Sequence, residues 1–113
     1  MRRESRKYLF DVSRAAELLS RFTVGKTFAD FSEDQLLQSA VERQMEIIGE
    51  AISKLSRVDA ETAARISDYR RIIALRNVLT HGYAQVDSRI LWDVFQMNLP
   101  ILQKETQDLL GDG

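Results

Sequence analysis

The segment from Arg76 to Tyr83 carries the densest polar chemistry in the sequence. It reads Arg-Asn-Val-Leu-Thr-His-Gly-Tyr and contains His81, the only histidine among 113 residues. An imidazole can take a proton from a ribose 2′-hydroxyl or give one to a leaving oxygen. A guanidinium can hold a phosphate through two hydrogen bonds and stabilise its charge in the transition state. Arg76 and His81 therefore predict phosphoryl chemistry on a nucleic-acid backbone, for which no metal ion or other cofactor is required.

Other chemistries find less support in the residues. The chain has no cysteine, which excludes disulfide scaffolds, cysteine–zinc sites and thiol catalysis. One histidine without a neighbouring carboxylate cannot make a metal-ligand set. A reading without catalysis stays open, because a lone histidine at a helix C-terminus commonly complements the helix dipole, and Tyr83 could simply pack.

Helix geometry separates the two candidate groups. At about 100° per residue, Arg76 and His81 lie about 140° apart around a straight helix, whereas Arg76, Thr80 and Tyr83 share a face. Either the helix end is distorted before Gly82, or the two groups converge with the help of a second subunit. We favour a cleft at a two-fold interface, where both copies of the motif face each other, and therefore expect a homodimer.

The elements that position this segment are predicted to be helices. Apolar residues recur every three or four positions from about residue 6 to 22, and no stretch alternates with period two for long enough to indicate a sheet. Gly25 ends this first helix, and Ser32 with Gln35 predicts a capping box at the start of the next. Asp59 is expected to cap a third helical stretch. The fold class is therefore all-α, a bundle of four to five helices.

Several single residues refine this prediction. Gly49 lies inside the second long helix, where a close helix–helix contact is a plausible reason for a glycine. An interruption is expected near Ser67-Asp68, and Gly82 should end the motif helix. The last helix should start at Asp87 or Ser88, with a kink or restart at Pro100.

Charge is unevenly distributed along the chain. The formal net charge is −1, which by itself does not suggest nucleic-acid binding. Yet residues 1–7 and 65–76 each sum to +3, while residues 30–50 sum to −5. A dimer could concentrate the basic segments around one cleft. The acids of residues 30–50 are either solvated helix surface or face a basic partner, and Glu46 and Glu50 could pair locally with Arg43 or Lys54.

Size and hydropathy set the broad class. No apolar run approaches the length of about 18 residues that a membrane span needs, and the basic N-terminus lacks the apolar core of a signal peptide. We expect one helical domain over residues 1–113, located in the cytoplasm.

The motif Arg-Asn-x-x-x-His-x-Tyr at residues 76–83 resembles the signature of HepT-like toxins, small members of the HEPN superfamily. The likeness runs from about Tyr8 to Leu110. It differs at Ser67-Asp68-Tyr69, where the family often has Pro-Trp. The other matching segments follow one another in the family's order: Tyr8-Leu9-x-Asp11, Phe28–Phe31, Arg43–Ala51 and Val86–Pro100.

The resemblance implies an all-helical, HEPN-like homodimer with a metal-independent endoribonuclease site between the subunits. Arg76 would stabilise the phosphate and His81 would be the general acid–base, with Asn77 and Thr80 in support. The partner implied is an MntA-type nucleotidyltransferase, an antitoxin that would silence the RNase by transferring AMP onto Tyr83. Arg65, Arg70 and Arg71 either contact RNA or the added phosphates, or form a solvated basic face.

Two functions remain open at this point. The first is an RNase toxin of a type VII-like toxin–antitoxin system. The second is a non-catalytic helical module that is partner and substrate of a minimal nucleotidyltransferase.

Overall fold

A computed structural model describes residues 1–81 and 87–111. The predicted all-α class is confirmed, and this part of the chain contains six helices where four to five were expected. One short helix, at residues 28–33, lies in a predicted connection, and another, at residues 60–63, is the first part of the helical stretch predicted to follow Asp59. The helices are α1 (Arg3–Thr23), α2 (Phe28–Glu33), α3 (Gln35–Val58), α4 (Ala60–Ala63), α5 (Tyr69–His81) and α6 (Ser88–Gly111).

The core lies where α1 packs against α3 and α6. The predicted stripe of α1 is buried at Val12, Ala15, Ala16 and Leu19, while Tyr8 is half-buried. Helix α3 adds residues at the same three- and four-residue spacing, among them Val41, Ile48, Ile52 and Leu55. These three long helices form the frame on which the motif helix α5 rests.

The start of α3 differs from the prediction. Ser32 is not a helix cap, because it lies inside α2 and its hydroxyl donates to the Ala29 carbonyl. The capping box is formed five residues earlier by Thr27 and Asp30, which opens α2. Asp34 caps α3 instead, by accepting a hydrogen bond from the Leu37 amide. Thr27, Ser32 and Asp34 are all good capping residues by type. Because residues 28–33 form the extra helix α2, Thr27 caps α2 and Asp34 caps α3.

The short helix α2 brings an aromatic cluster into the core. Phe31 is fully buried and its ring lies 5.2 Å from that of Trp92 and 6.0 Å from that of Phe95, both on α6. The segment between the predicted helix end at Gly25 and the predicted start at Ser32 is therefore largely helical, and it packs an aromatic side chain onto the core. This contact ties the start of α6 to the α2–α3 corner.

The predicted break before the motif helix is confirmed. Asp59 caps α4 by accepting from the Thr62 amide, and Asp68 then takes a left-handed backbone conformation with φ of 58°. The carboxylate of Glu105 on α6 accepts from both the amide and the hydroxyl of Ser67. The turn that starts α5 is thus held by the C-terminal half of α6.

Helix α6 continues through Pro100, so the restart considered from the sequence is wrong. Pro100 lies on an exposed position of the helix, as does Gln96, whose carbonyl loses its partner there. Water can satisfy that carbonyl, so a proline is tolerated. The predicted stop at Gly82 falls outside the described residues, as does Tyr83.

None of the helices in residues 1–81 and 87–111 combines the length and the apolar character that crossing a bilayer requires.

Candidate active site

Gly49 sets the distance between α3 and the motif helix. A Cβ at this position would collide with Cβ of Arg76, would lie 2.8 Å from its Cγ, and would come 3.3 Å from the Ile72 carbonyl oxygen. The predicted close contact at this glycine is therefore confirmed, and its partner is the motif arginine itself. Only a residue without a side chain lets the start of the Arg76 side chain lie directly on α3.

Arg76 is held from two sides. Its Nη2 forms an ion pair with Glu50 on α3, and its Nη1 donates to Oδ1 of Asn77 at 2.9 Å. The side chain keeps 27% of its surface exposed, so solvent and a ligand can still reach it. The family resemblance implies a supporting role for Asn77, and the contact that the structure gives Asn77 is with the arginine.

The side chain of Arg76 lines a cleft of about 360 Å³ between α1, α3 and α5. Thr80, one turn after Arg76, lines the same cleft, as their shared helix face predicts. The other lining residues come from α1 (Lys7, Tyr8 and Asp11) and from α3 (Arg43, Glu46, Ile47, Glu50, Ala51 and Lys54).

The cleft is lined by alternating charges that pair with one another. Lys7 lies 3.4 Å from Asp11, Arg43 lies 3.9 Å from Glu46, and Lys54 lies 3.6 Å from Glu50. The local pairs predicted for Glu46 and Glu50 are confirmed. Each such exposed pair contributes little to stability, about 0.3–0.5 kcal/mol. An incoming anion can therefore exchange partners with these cations at low cost.

His81 is the last residue of α5 and is exposed. The helix remains α-helical through His81, so the distortion that would bring it next to Arg76 is not present in this segment. His81 does not line the cleft that contains Arg76 and Thr80. Within one copy of the chain, the structure places the two catalytic candidates on different sides of the same helix.

The three other candidate arginines lie away from Arg76. Arg65 is exposed in the turn after α4, and Arg70 at the start of α5 contacts the hydroxyl and ring of Tyr69. Arg71 lines a second, mostly apolar groove of about 550 Å³ between α3, α5 and α6. One copy of the chain therefore does not gather these arginines around the Arg76 cleft.

Two contributors to the cleft were not singled out from the sequence. Tyr8 belongs to the apolar stripe predicted for the first helix, and Glu50 is predicted only to pair locally with Arg43 or Lys54. The contact between Glu50 and Arg76 joins residues far apart in the chain, and helical periodicity carries no information about such pairs. The only local signal was Gly49, which predicted a close contact beside Glu50 but not its partner.

Among the described residues, no three histidine, aspartate or glutamate side chains lie together in a way that could hold a metal ion. The chemistry that the site offers is that of a fixed guanidinium, a hydroxyl and an imidazole on one helix. This set fits phosphate recognition and proton transfer.

Comparison with known proteins agrees with this chemistry. The chain is 35% identical over 109 residues to "Probable ribonuclease HepT" of Thermococcus cleftensis, covering 96% of this chain and 98% of that one. It is 32% identical over 105 residues to "Putative RNase TTE0752" of Caldanaerobacter subterraneus subsp. tengcongensis, covering 93% of both. No solved structure gives a significant match. The model of the family described as "Ribonuclease HepT-like" matches residues 12–109, and the chain therefore belongs to the HepT-like family.

Proposed function

We propose that this protein is a metal-independent endoribonuclease, the toxin of a type VII-like toxin–antitoxin system. The observation that carries the proposal is the anchoring of Arg76 at the mouth of a cleft, with His81 on the same helix, in a chain of the HepT-like family. Relatives named as ribonucleases cover nearly the whole chain, which supports the same activity.

The reaction follows from the two side chains. A neutral imidazole of His81 removes the proton of a ribose 2′-hydroxyl, and the oxygen attacks the adjacent phosphorus. The bond from phosphorus to the 5′-oxygen breaks, and that oxygen takes a proton from an imidazolium. Arg76 neutralises the charge that builds up on the non-bridging oxygens. The products are a 2′,3′-cyclic phosphate and a free 5′-hydroxyl.

The proposal includes a two-fold homodimer. Each chain has a single histidine on the side of α5 away from Arg76, so a second copy would supply the missing partner group. Exposed apolar side chains support this arrangement: Ile90 is 59% and Met97 75% exposed on α6, where both line the second groove, and Val78 is 44% exposed on the motif helix. Such a patch beside the motif helix fits a self-complementary interface.

Silencing would act through Tyr83. The Tyr83 hydroxyl would attack the α-phosphate of ATP held by an MntA-type nucleotidyltransferase, with loss of its proton and release of pyrophosphate. The phosphodiester formed next to the Arg76–His81 site would block the cleft and compete for its cations. The motif match at residues 76–83 supports this step.

A second candidate function has one observation in its favour. Every cation that lines the Arg76 cleft is paired with a carboxylate, so the cleft is not a strongly basic surface. This charge pattern also suits a non-catalytic module that is bound and modified by a nucleotidyltransferase.

The cleavage experiment separates the two functions. Unmodified protein is incubated with tRNA and mRNA in the presence of EDTA, and Arg76→Ala and His81→Ala are compared with Arg57→Ala. Arg57 is exposed on α3, where it donates to Ser53 one turn away, and it does not line the Arg76 cleft, so its variant should match wild type. Cleavage should fall by about 10²–10⁴-fold in the two motif variants. Cleavage that survives either substitution contradicts the mechanism.

The dimer and the modification have their own tests. Met97→Glu should shift the protein toward monomer in light scattering. Phe10 is an exposed aromatic residue on α1 that lines neither groove, so Phe10→Glu should not cause this shift.

Co-expression with an MntA-type nucleotidyltransferase should raise the intact mass by one or more AMP units. Tyr69→Phe should keep this gain and Tyr83→Phe should lose it; a gain in Tyr83→Phe would show that another residue is modified.

A further inference from the structure

Glu50 lies at the centre of the Arg76 cleft. One of its carboxylate oxygens faces Nζ of Lys54 at 3.6 Å, and the other forms the ion pair with Nη2 of Arg76. In the part of the chain that the structure describes, Glu50 is the only carboxylate in an ion pair with the motif arginine. Its neighbour Gly49 is the residue that lets α5 approach α3 at this point.

We propose that Glu50 is a positioning residue for Arg76, an inference that rests on the proposed RNase function. A guanidinium has five N–H donors in a planar fork. The ion pair with Glu50 and the hydrogen bond to Asn77 engage the two terminal nitrogens, which fixes the plane of the fork between α3 and α5. The donors that remain can reach two oxygens of one phosphate, so the arginine is oriented before RNA arrives.

The charge of Glu50 gives this role a kinetic signature. A carboxylate next to the phosphate site repels the RNA backbone, so Glu50 weakens binding while it orients the group that stabilises the transition state. Removing it should lower kcat and leave KM unchanged or lower it. A residue that served only to bind phosphate would raise KM when removed. Loss of folded protein would lower kcat only in proportion to the folded fraction, which circular dichroism measures on the same sample.

The first test compares Glu50→Ala and Glu50→Gln with wild type in steady-state RNA cleavage. Glu50→Ala should reduce kcat by about 10–100-fold, the scale of a misplaced catalytic group, with KM equal or about twofold lower. Glu50→Gln keeps an oxygen that accepts from Arg76 and should retain more activity than the alanine variant. Glu17→Ala is the matched control, since it removes an exposed glutamate–arginine pair on α1 outside the cleft, and it should leave both constants unchanged.

A double variant shows whether Glu50 acts through Arg76. In an Arg76→Ala background, Glu50→Ala should change the residual kcat by less than about twofold, because the group that it positions is gone. Fully multiplicative losses would overturn the proposal. So would a rise in kcat in Glu50→Ala, which would identify Glu50 as an inhibitor of Arg76.

A measurement without RNA keeps this inference separate from the proposed function. The heteronuclear NOE of the Arg76 Nε–H group, assigned by its loss in Arg76→Lys, should be that of an ordered side chain in the wild type. It should fall to the value of the exposed Arg57 in Glu50→Ala. An unchanged value in that variant overturns the positioning role even if RNA is cleaved, whereas absence of cleavage with a fall in the NOE overturns only the proposed RNase function.

Discussion

Helix α3 meets its two neighbours in different ways. Against α1 it forms an apolar contact around fully buried residues such as Val12 and Ile52, and its C-terminal end is tied to α1 by a hydrogen bond of 2.7 Å from the Ser5 hydroxyl to Asp59. Against α5 it has a glycine in place of a side chain and a charged pair, Glu50 with Arg76. No residue of α5 itself is fully buried.

The two polar anchors explain which contact serves stability and which serves chemistry. Asp59 accepts hydrogen bonds from the Ser5 hydroxyl and from the hydroxyl and amide of Thr62, all of them neutral donors of the fold itself. Arg76 is half-buried and lines a cleft, and its guanidinium has N–H donors beyond those that face Glu50 and Asn77. A satisfied carboxylate at a helix junction is a structural device. A guanidinium with remaining donors at a cleft is a binding device.

The largest effect is expected from Arg76→Lys, which keeps the charge but changes its geometry. An ammonium cannot hold Glu50, Asn77 and two phosphate oxygens in one plane, so kcat/KM for RNA should fall about 10²-fold. The melting temperature should change little, because the lysine stem still lies on Gly49 and the charge still pairs with Glu50. His81→Asn is the companion variant, with an equal loss of activity. Full activity in Arg76→Lys would show that positive charge alone is sufficient at this position.

The next largest effect is expected from Gly49→Ala. The added methyl would collide with Arg76 and press on the Ile72 carbonyl, so α5 must move away from α3, which costs about 1–3 kcal/mol. Chemical denaturation measures this loss, and the RNA assay should show reduced kcat, because Arg76 moves with its helix. Gly111→Ala is the control, since nothing lies within 4 Å of a Cβ there. A fully stable and active Gly49→Ala protein would show that the two helices do not meet as closely as described.

The features that the sequence predicts correctly are local ones. The stripe of α1, the cap at Asp59, the break at Asp68 and the need for a glycine at position 49 all follow from residues within a few turns of each other. The start of α3 was misplaced because Ser32 and Asp34 are both good caps, and only the packing of Phe31 against α6 decides between them.

The features that the sequence could not predict are tertiary. Glu50 and Arg76 lie on different helices, whereas helical spacing alone predicts only a local partner for Glu50, either Arg43 or Lys54. Helix geometry predicts the angle of about 140° between Arg76 and His81, and the continuous helix α5 preserves this angle. It does not predict which group of another helix or another copy lies opposite each side chain. The group that lies beside Arg76 or His81 is determined by the packing of other helices, which the pattern of one helix does not contain.

A moderate effect is expected from Asp59→Ala. The variant removes a helix cap and leaves the fully buried Ser5 hydroxyl without its acceptor, so the free energy of unfolding should fall by about 1–2 kcal/mol. Hydrogen bonds from Thr62 and then from Ser5 hold the pKa of Asp59 below its ordinary value of 3.8. The contribution of its charge is therefore complete above that value and is lost as pH falls through the lowered pKa. Denaturation should show a gap between variant and wild type that narrows in acid, while RNA cleavage per folded molecule stays the same.

The smallest effect is expected on the acidic side of α3, from Glu42→Gln. Partial burial, and then the charge of Glu46 one turn away, raise the pKa of Glu42 above its ordinary value of 4.5. A carboxyl whose pKa is raised by folding destabilises the folded state at pH values above that pKa, and the cost disappears in acid where the group is protonated in both states. Glutamine removes this cost, so the variant should be more stable at pH 7 by about 0.2–0.5 kcal/mol, the size of a like-charge pair on a helix, and equal to wild type below about pH 4. Because Glu42 makes no ion pair with Arg76, cleavage should be unchanged, in contrast to Glu50→Gln. A loss of stability at pH 7 would mean that the Glu42 carboxylate forms a stabilising ion pair. Helix α3 would then have a third contact, in addition to its apolar contact with α1 and its charged contact with α5.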